Sequence, residues 1–117
     1  MNLPNSVTEI IQGFENGKFS SQELTKAYLN RIDNLDPEIN SFITVCHERA
    51  LLDAKKADRS RGNGSANKLT GVPYANKDIF CTKGVRTTSG SRMLDSFISP
   101  YDATLVERLG SQGMVML

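Results

Sequence analysis

Short apolar runs alternate with amphipathic helical stretches along this chain, and the alternation restricts the fold more than any other feature. β-branched and aromatic residues make SFITVC (41–46) a predicted strand, and VPYA (72–75) and MVML (114–117) have the apolar character of buried strands. VRTT (85–88) is predicted to be a short strand or an extended segment. Strands that alternate with helices at this spacing indicate an α/β domain with a largely parallel sheet.

The first two predicted helices begin with the same capping pattern. Ser6 precedes Glu9 by three residues and Ser20 precedes Glu23 by three, which is the spacing of a capping box. Apolar residues then recur at helical intervals, and Gly17 is the predicted end of the first helix. Both helices are therefore expected to bury one face against the rest of the fold.

Pro37 is predicted to end the second helix, because a proline removes a backbone donor. Residues 1–37 would then form a helical hairpin, and residues 38–117 would form the start of the α/β core of the same domain. A non-catalytic module that docks a partner through the two amphipathic faces is an alternative function that this pattern leaves open.

A third predicted helix begins at His47 and carries an alanine-rich face, composed of Ala50, Leu51, Ala54 and Ala57. His47 is the only histidine, and with no acid or thiol cluster near it in sequence it is expected to be a surface residue. Asp102 is expected to cap a fourth helix that ends near Gly113.

Charge and cysteine usage are those of an ordinary intracellular domain. Fourteen basic and thirteen acidic side chains give a net charge of +1, which provides no basis for nonspecific attraction to nucleic acid or to an anionic membrane. Cys46 and Cys81 form no CxxC pair, which favours reduced thiols. No long apolar run or signal peptide pattern is present, so a cytoplasmic location is expected.

The apolar MVML at 114–117 resembles the start of a buried strand, and we expect the chain to stop inside its domain.

Lys77 is the candidate catalytic residue. It follows an apolar run, 72–75, that predicts a buried strand, where loss of hydration would lower the pKa of a lysine amine. A neutral amine near pH 7 can accept a proton as a general base. A lysine that snorkels to solvent, or one paired with an acid, is the structural alternative. The adjacent Asp78 should point to the opposite face of a strand, which argues against a direct pair.

The segments LTGVPYANKDIFCTKGVRTTSGS and PYDATLVERL resemble the amidase signature family, and the resemblance extends over nearly the whole chain. Its most specific part is the G-x-P-x-x-x-K-D block formed by Gly71, Pro73, Lys77 and Asp78. Within the family, the chain most resembles the A subunits of aspartyl/glutamyl-tRNA amidotransferases. The resemblance implies the N-terminal part, residues 1–117, of a single amidase domain: a mixed, largely parallel sheet covered by helices, incomplete in this chain.

In this family the motif lysine belongs to a Ser–cis-Ser–Lys triad, so the resemblance implies that Lys77 is the catalytic base. The neutral lysine would accept a proton from a bridging serine, which in turn deprotonates the serine nucleophile that attacks a carboxamide. The family's glycine- and serine-rich segment with both serines is expected beyond residue 117, so the chain alone is expected to be inactive. Ser89 and Ser91 in TTSGS (87–91) are predicted instead to lie in a turn whose hydroxyls cap loop amides.

The resemblance also implies a substrate and partners. Glutamine would supply the ammonia that converts Glu-tRNA(Gln) or Asp-tRNA(Asn) to Gln-tRNA(Gln) or Asn-tRNA(Asn), and both routes stay open. The partners would be the B and C subunits and, through the complex, charged tRNA, with no membrane partner. No cofactor is expected in this chain, since ATP and magnesium would serve the partner subunit that activates the charged tRNA. A generic amidase signature amidohydrolase is the nearest alternative.

Overall fold

Two long helices pack against each other and against a short parallel sheet in the computed structural model, which describes residues 1–117. The helices are α1 (Val7–Glu15), α2 (Ser21–Ile39), α3 (His47–Gly62) and α4 (Thr104–Ser111), the strands are β1 (Pro73–Tyr74) and β2 (Val115–Met116), and a 3₁₀ turn spans Arg92–Leu94. No helix is both long enough and apolar enough to cross a membrane. The α/β class predicted from the alternation of elements is confirmed.

Both N-terminal helices begin where their capping residues predict. The Ser20 hydroxyl accepts the Glu23 N–H at 3.1 Å, and the Glu23 carboxylate accepts the Ser20 N–H at 2.7 Å, which completes a capping box. The Ser6 hydroxyl accepts the Glu9 N–H at 3.2 Å, but the Glu9 carboxylate accepts from Asn5 rather than from Ser6, at 2.7 Å. The start of α1 is therefore confirmed, but the Glu9 carboxylate bonds one residue before the N-cap, so the capping box is incomplete.

The prediction that Pro37 ends α2 is wrong, because the helix continues through Pro37 to Ile39. A proline in the last turn removes only one intrahelical hydrogen bond, and its fixed φ is compatible with helix. The helix ends at Asn40, which adopts a left-handed conformation with φ 59°. The Asp36 carboxylate then accepts the next two backbone N–H groups, those of Ser41 at 2.7 Å and Phe42 at 3.2 Å.

The predicted strand at 41–46 is also wrong, since this segment is irregular and pairs with no other strand. Its apolar residues divide between two environments: Val45 packs against a buried cluster, whereas Ile43 is 53% exposed. β-propensity measures how well a residue fits a paired and packed sheet, and here no neighbouring strand is present to pair with. The segment instead forms one wall of the cleft described below.

The three alanines of the alanine-rich face of α3 are buried. Ala50 and Ala54 have no exposed surface and lie in a cluster with Leu29 of α2 and Val115 of β2. A second cluster joins α1, α2 and the start of β1 through three buried residues, Ile10, Leu24 and Val72. Complete burial of a leucine contributes about 1.5–3 kcal/mol, so these few large side chains supply much of the stability of the N-terminal region.

The sheet confirms the predicted parallel arrangement and the predicted strand in MVML. Pro73 pairs with Val115 and Tyr74 with Met116, and the two strands run in the same direction. The Val115 N–H donates to the Val72 carbonyl at 3.0 Å, and the Leu117 N–H donates to the Tyr74 carbonyl at 3.1 Å. The carboxyl ends of both strands therefore lie at the same edge of the sheet, where the chain continues toward Lys77.

The VRTT segment is extended and forms one antiparallel bridge, between Arg86 and Ile98.

The predicted cap at Asp102 is wrong: α4 begins after Ala103 without a side-chain cap. The Asp102 carboxylate accepts the Lys83 N–H at 2.7 Å, so this carboxylate stabilises the turn that precedes the VRTT segment. Gly113 follows α4 with φ 74°, which confirms the predicted stop.

Candidate active site

Lys77 lies three residues beyond β1, in a turn closed by the Phe80 N–H, which donates to the Lys77 carbonyl at 3.1 Å. The turn forms part of a cleft of about 500 Å³ at the carboxyl end of the sheet. The cleft walls are formed by residues 41–44, 46, 75–78, 80, 85–87, 116 and 117. The structure therefore places the predicted catalytic lysine on the wall of a concave site.

The expectation that Lys77 lies at the edge of a buried strand is wrong for this chain. The strand ends at Tyr74, which pairs with Met116, and Lys77 is exposed. Its amine forms no hydrogen bond or ion pair with any residue of 1–117. Residues 1–117 therefore leave the amine open to solvent and free to contact a group from outside them, and its catalytic role stays a prediction.

Asp78 forms no ion pair with Lys77, as the sequence predicted, although the two residues lie in a turn and not on the expected strand. Its carboxylate accepts the backbone N–H of Thr88 at 2.9 Å and also the Thr88 hydroxyl, while the Asp78 carbonyl accepts the Ser89 N–H at 2.8 Å. These three hydrogen bonds join the Lys77 turn to residues 88–89 across a gap of ten positions. Asp78 is therefore part of the scaffold of the site.

The TTSGS segment is a turn stabilised by a hydroxyl, as predicted. The Thr88 hydroxyl accepts the Gly90 N–H at 3.1 Å, and Ser89 and Gly90 both have positive φ, 52° and 67°. Neither Ser89 nor Ser91 is among the residues that line the cleft. The structure does not bring these serines to the Lys77 side of the site, which agrees with their assignment as turn residues.

Sequence reasoning missed three other polar groups of the cleft. The Asn76 side-chain amide donates to the Thr82 hydroxyl at 3.1 Å, which braces the Lys77 turn from within. Arg86 lines the cleft and is held by the carboxylate and carbonyl of Asp95. Cys46 also lines the cleft, and burial raises the pKa of its thiol. Only Asn76, which directly precedes the motif lysine, stood in a position that could have suggested its role.

The structure confirms the predicted surface position of His47 and the predicted free thiols of the two cysteines. His47 is exposed, lies outside the cleft and has its Nε2 atom 2.8 Å from the Asp33 carboxylate. This acid lies 14 residues earlier in the chain, so sequence proximity did not reveal the pair. Cys46 and Cys81 are both free thiols.

Comparison with known sequences places this cleft within a family. Residues 23–117 match the model of the family described as Amidase. The A subunit of the glutamyl-tRNA(Gln) amidotransferase of Acinetobacter baylyi is 56% identical over 112 residues, and that of Methylococcus capsulatus is 58% identical over 112 residues. Each match covers 96% of this chain and 23% of the relative. The chain belongs to the amidase family, and it spans about a quarter of the length of these curated relatives.

Solved structures agree with this assignment. The peptide amidase of Stenotrophomonas maltophilia superposes with a TM-score of 0.89 at 34% sequence identity, over 97% of this chain and 24% of that chain. An amidase family protein from Bacillus anthracis gives a TM-score of 0.88 at 32% identity, over 98% of this chain and 24% of that chain. The fold is therefore the N-terminal part of the amidase signature fold, as the sequence resemblance implied.

Proposed function

We propose that this chain forms the N-terminal part of a glutamine-hydrolysing amidotransferase A subunit, which supplies ammonia for the amidation of glutamate or aspartate on tRNA. The observation that carries the proposal is the unpaired Lys77 amine in the cleft at the end of β1, within a chain 54–58% identical to glutamyl-tRNA(Gln) amidotransferase A subunits. The location would be cytoplasmic, with B and C subunits and charged tRNA as partners.

Lys77 would act as the base of a Ser–cis-Ser–Lys triad. Its neutral amine would accept a proton from the bridging serine. The bridging serine would in turn take the proton of the nucleophilic serine, whose oxygen attacks the glutamine carboxamide. The protonated lysine would return this proton through the bridging serine to the departing nitrogen, so that collapse of the tetrahedral intermediate releases ammonia and leaves an acyl-enzyme. Water would then hydrolyse the acyl-enzyme to glutamate and restore the free serine. Both serines would come from the part of the relatives' length that this chain does not span. ATP and magnesium would belong to the partner subunit.

Desolvation of Lys77 would also depend on the part of the domain that lies outside residues 1–117. Within 1–117 the Lys77 amine is exposed, and burial is what would favour the uncharged form of a lysine. Closure of the 500 Å³ cleft by further polypeptide would remove water from the amine and bring the bridging serine to it. The proposal therefore requires a base assembled from two parts of the domain.

A chimera tests the proposal directly. In the A subunit of Acinetobacter baylyi, the matched 112 residues are replaced by the corresponding residues of this chain, and the protein is purified with its partner subunits (hereafter the chimera). We expect glutaminase activity to be retained and Lys77→Met to lower kcat by about 10²–10⁴-fold, the usual contribution of a positioned acid–base group. Steady-state release of glutamate measures both values.

Lys83→Met is the matched control, because Lys83 is an exposed lysine on the same loop and lies outside the cleft. We expect this variant to keep the activity of the chimera. Full turnover by Lys77→Met would refute the catalytic assignment, and an inactive but folded chimera would refute the proposed function.

A generic amidase remains the second candidate, because the peptide amidase of Stenotrophomonas maltophilia shares this fold at 34% identity. The higher identity to amidotransferase subunits, 56% for Acinetobacter baylyi, favours the tRNA-dependent enzyme. A chimera that hydrolyses peptide amides but fails to amidate charged tRNA would favour the generic amidase. A docking module is less consistent with the fold, since three apolar residues of α1 and α2, Ile10, Leu24 and Leu29, are already buried within the chain.

A further inference from the structure

The cleft is lined by an acid that directly follows, in the chain, the amine that must be uncharged to act as a base. Asp78 follows Lys77 in the chain and is the only carboxylate side chain that lines the cleft. A carboxylate that paired with the amine would favour the protonated ammonium and raise the lysine pKa. The chain therefore needs a means of holding this carboxylate away from its neighbour.

Thr88 supplies that means, because it engages both carboxylate oxygens of Asp78. The Thr88 N–H donates to Oδ1 at 2.9 Å, and the Thr88 hydroxyl donates to Oδ2. The side chain of Thr88 is itself fixed: the residue is 3% exposed, and its hydroxyl oxygen accepts the Gly90 N–H at 3.1 Å. Hydrogen bonds to a carboxylate are stronger than those between neutral groups, so this geometry resists rotation of Asp78 toward Lys77.

We propose that Asp78 and Thr88 form a positioning pair: Thr88 holds the Asp78 carboxylate and keeps it from pairing with Lys77, so that Lys77 can lose its proton. This inference rests on the proposed function, since it assigns the pair to the base of that reaction. The pair has a second effect, because its hydrogen bonds fix the backbone from which the Lys77 side chain extends.

The other charged and titratable groups of the cleft do not contribute a second negative charge that could pair with Lys77. Arg86 faces the site, but the carboxylate of Asp95 compensates its charge. Cys46 faces the site as a thiol whose pKa burial raises, so it brings no negative charge near pH 7. Asp78 is thus the only acidic side chain of the cleft, and Thr88 holds its orientation.

Thr88→Val in the chimera tests the pair, because valine has the shape of threonine without the hydroxyl. Oδ2 of Asp78 loses its donor, and the carboxylate becomes free to turn toward Lys77. We expect the acidic limb of the kcat pH profile to move upward by about one pH unit or more. Turnover at pH 7 should fall by about tenfold and recover at higher pH. Thr88→Ser, which keeps the hydroxyl, should restore the original profile.

Thr87→Val is the matched control, since Thr87 precedes Thr88 in the same loop and is equally buried. Its hydroxyl donates to the Val85 carbonyl at 3.2 Å and not to Asp78. The acidic limb should therefore stay at its original pH in this variant, whatever the change in overall rate.

A merely structural role for Thr88 would lower kcat by the same factor at every pH, and that result would overturn the proposal. A second measurement does not depend on turnover: NMR titration of ¹³Cε-labelled lysine in the chimera should show a higher Lys77 pKa in Thr88→Val than in the parent. An unchanged Lys77 pKa would overturn the positioning role even if the chimera proved inactive, so its failure can be told apart from failure of the proposed function.

Discussion

Gly71 is the residue at which backbone geometry decides how the chain enters the Lys77 segment. It has φ 87°, its N–H donates to the Gly113 carbonyl at 2.8 Å, and its carbonyl accepts the Ser21 hydroxyl at 3.0 Å. A Cβ at this position would lie 2.8 Å from the Ser21 Oγ atom and 2.9 Å from its Cβ. The first residue of the G-x-P-x-x-x-K-D block is thus required by both conformation and space.

Gly71→Ala should therefore destabilise the protein in two ways. The left-handed conformation costs alanine about 1–2 kcal/mol, and the contact with Ser21 should add about 1–3 kcal/mol of overpacking. Gly84→Ala separates the two terms, because Gly84 has φ 75° but a Cβ there would meet nothing within 4 Å. The melting temperature of the chimera should fall more for Gly71→Ala than for Gly84→Ala. Equal losses would show that the contact with α2 is unimportant.

At the scale of elements, the N-terminus of α2 is held by a residue of α3. The Asp58 carboxylate accepts the backbone N–H groups of Ser21 at 2.7 Å and Gln22 at 3.1 Å, and the Gln22 side-chain amide at 2.9 Å. With the Ser20 hydroxyl on Glu23, the first three N–H groups of α2 all have partners. A negative charge at this end also complements the helix dipole. Asp58 therefore fixes α3 against the start of α2.

Asp58→Ala should lower the free energy of unfolding by about 2 kcal/mol, because it removes a charged acceptor from three donors and leaves them partly buried. Asp53→Ala on the same helix is the control, since Asp53 forms ion pairs with Arg49 and Lys56 near the surface. Such pairs contribute about 0–1 kcal/mol. Denaturant titration of the two variants in the chimera measures the difference, and similar losses in both would contradict a capping role for Asp58.

Elements whose stability comes from nearby residues were predictable from the sequence, and those that depend on distant partners were not. The caps at Ser6 and Ser20 bond to amides three residues away, so a local pattern was sufficient. The strand predicted at 41–46 failed because no second strand lies beside it. The cap predicted at Asp102 failed because its carboxylate bonds to Lys83, which is 19 residues away.

The candidate site shows the same division. The turn at Ser89 followed from turn chemistry, and the motif singled out the lysine that lines the cleft. The exposure of the amine could not be predicted, because it depends on how far β1 pairs with β2 and on what else closes the cleft. The Asp78–Thr88 hydrogen bonds were equally out of reach, since they join residues ten positions apart through the conformation of a loop.

At the scale of the whole molecule, little of the chain is buried for its size. Only 20 of 117 residues are buried, and the sheet has two strands of two residues each. Parallel sheets are normally covered on both faces, whereas here an open groove of about 400 Å³ lies beside β1 and is lined by Tyr28, Ile32, Leu35, Tyr74 and Leu117, among others. Large apolar side chains stay exposed elsewhere as well, including Leu52, Ile79 and Met93 at 60%, 50% and 94%.

These features predict weak cooperativity for the chain by itself. In a urea titration followed by circular dichroism, we expect residues 1–117 to lose helix gradually and to bind an apolar dye before unfolding, because the exposed apolar surface is not covered. The helices should persist longest where local caps hold them, at the starts of α1 and α2. The chimera serves as the reference and should unfold in a steep transition without binding the dye. A single steep transition of the isolated chain, with a slope within about 1–3 kcal/mol per molar urea, would instead mean that the two buried clusters are enough to stabilise this part of the amidase fold.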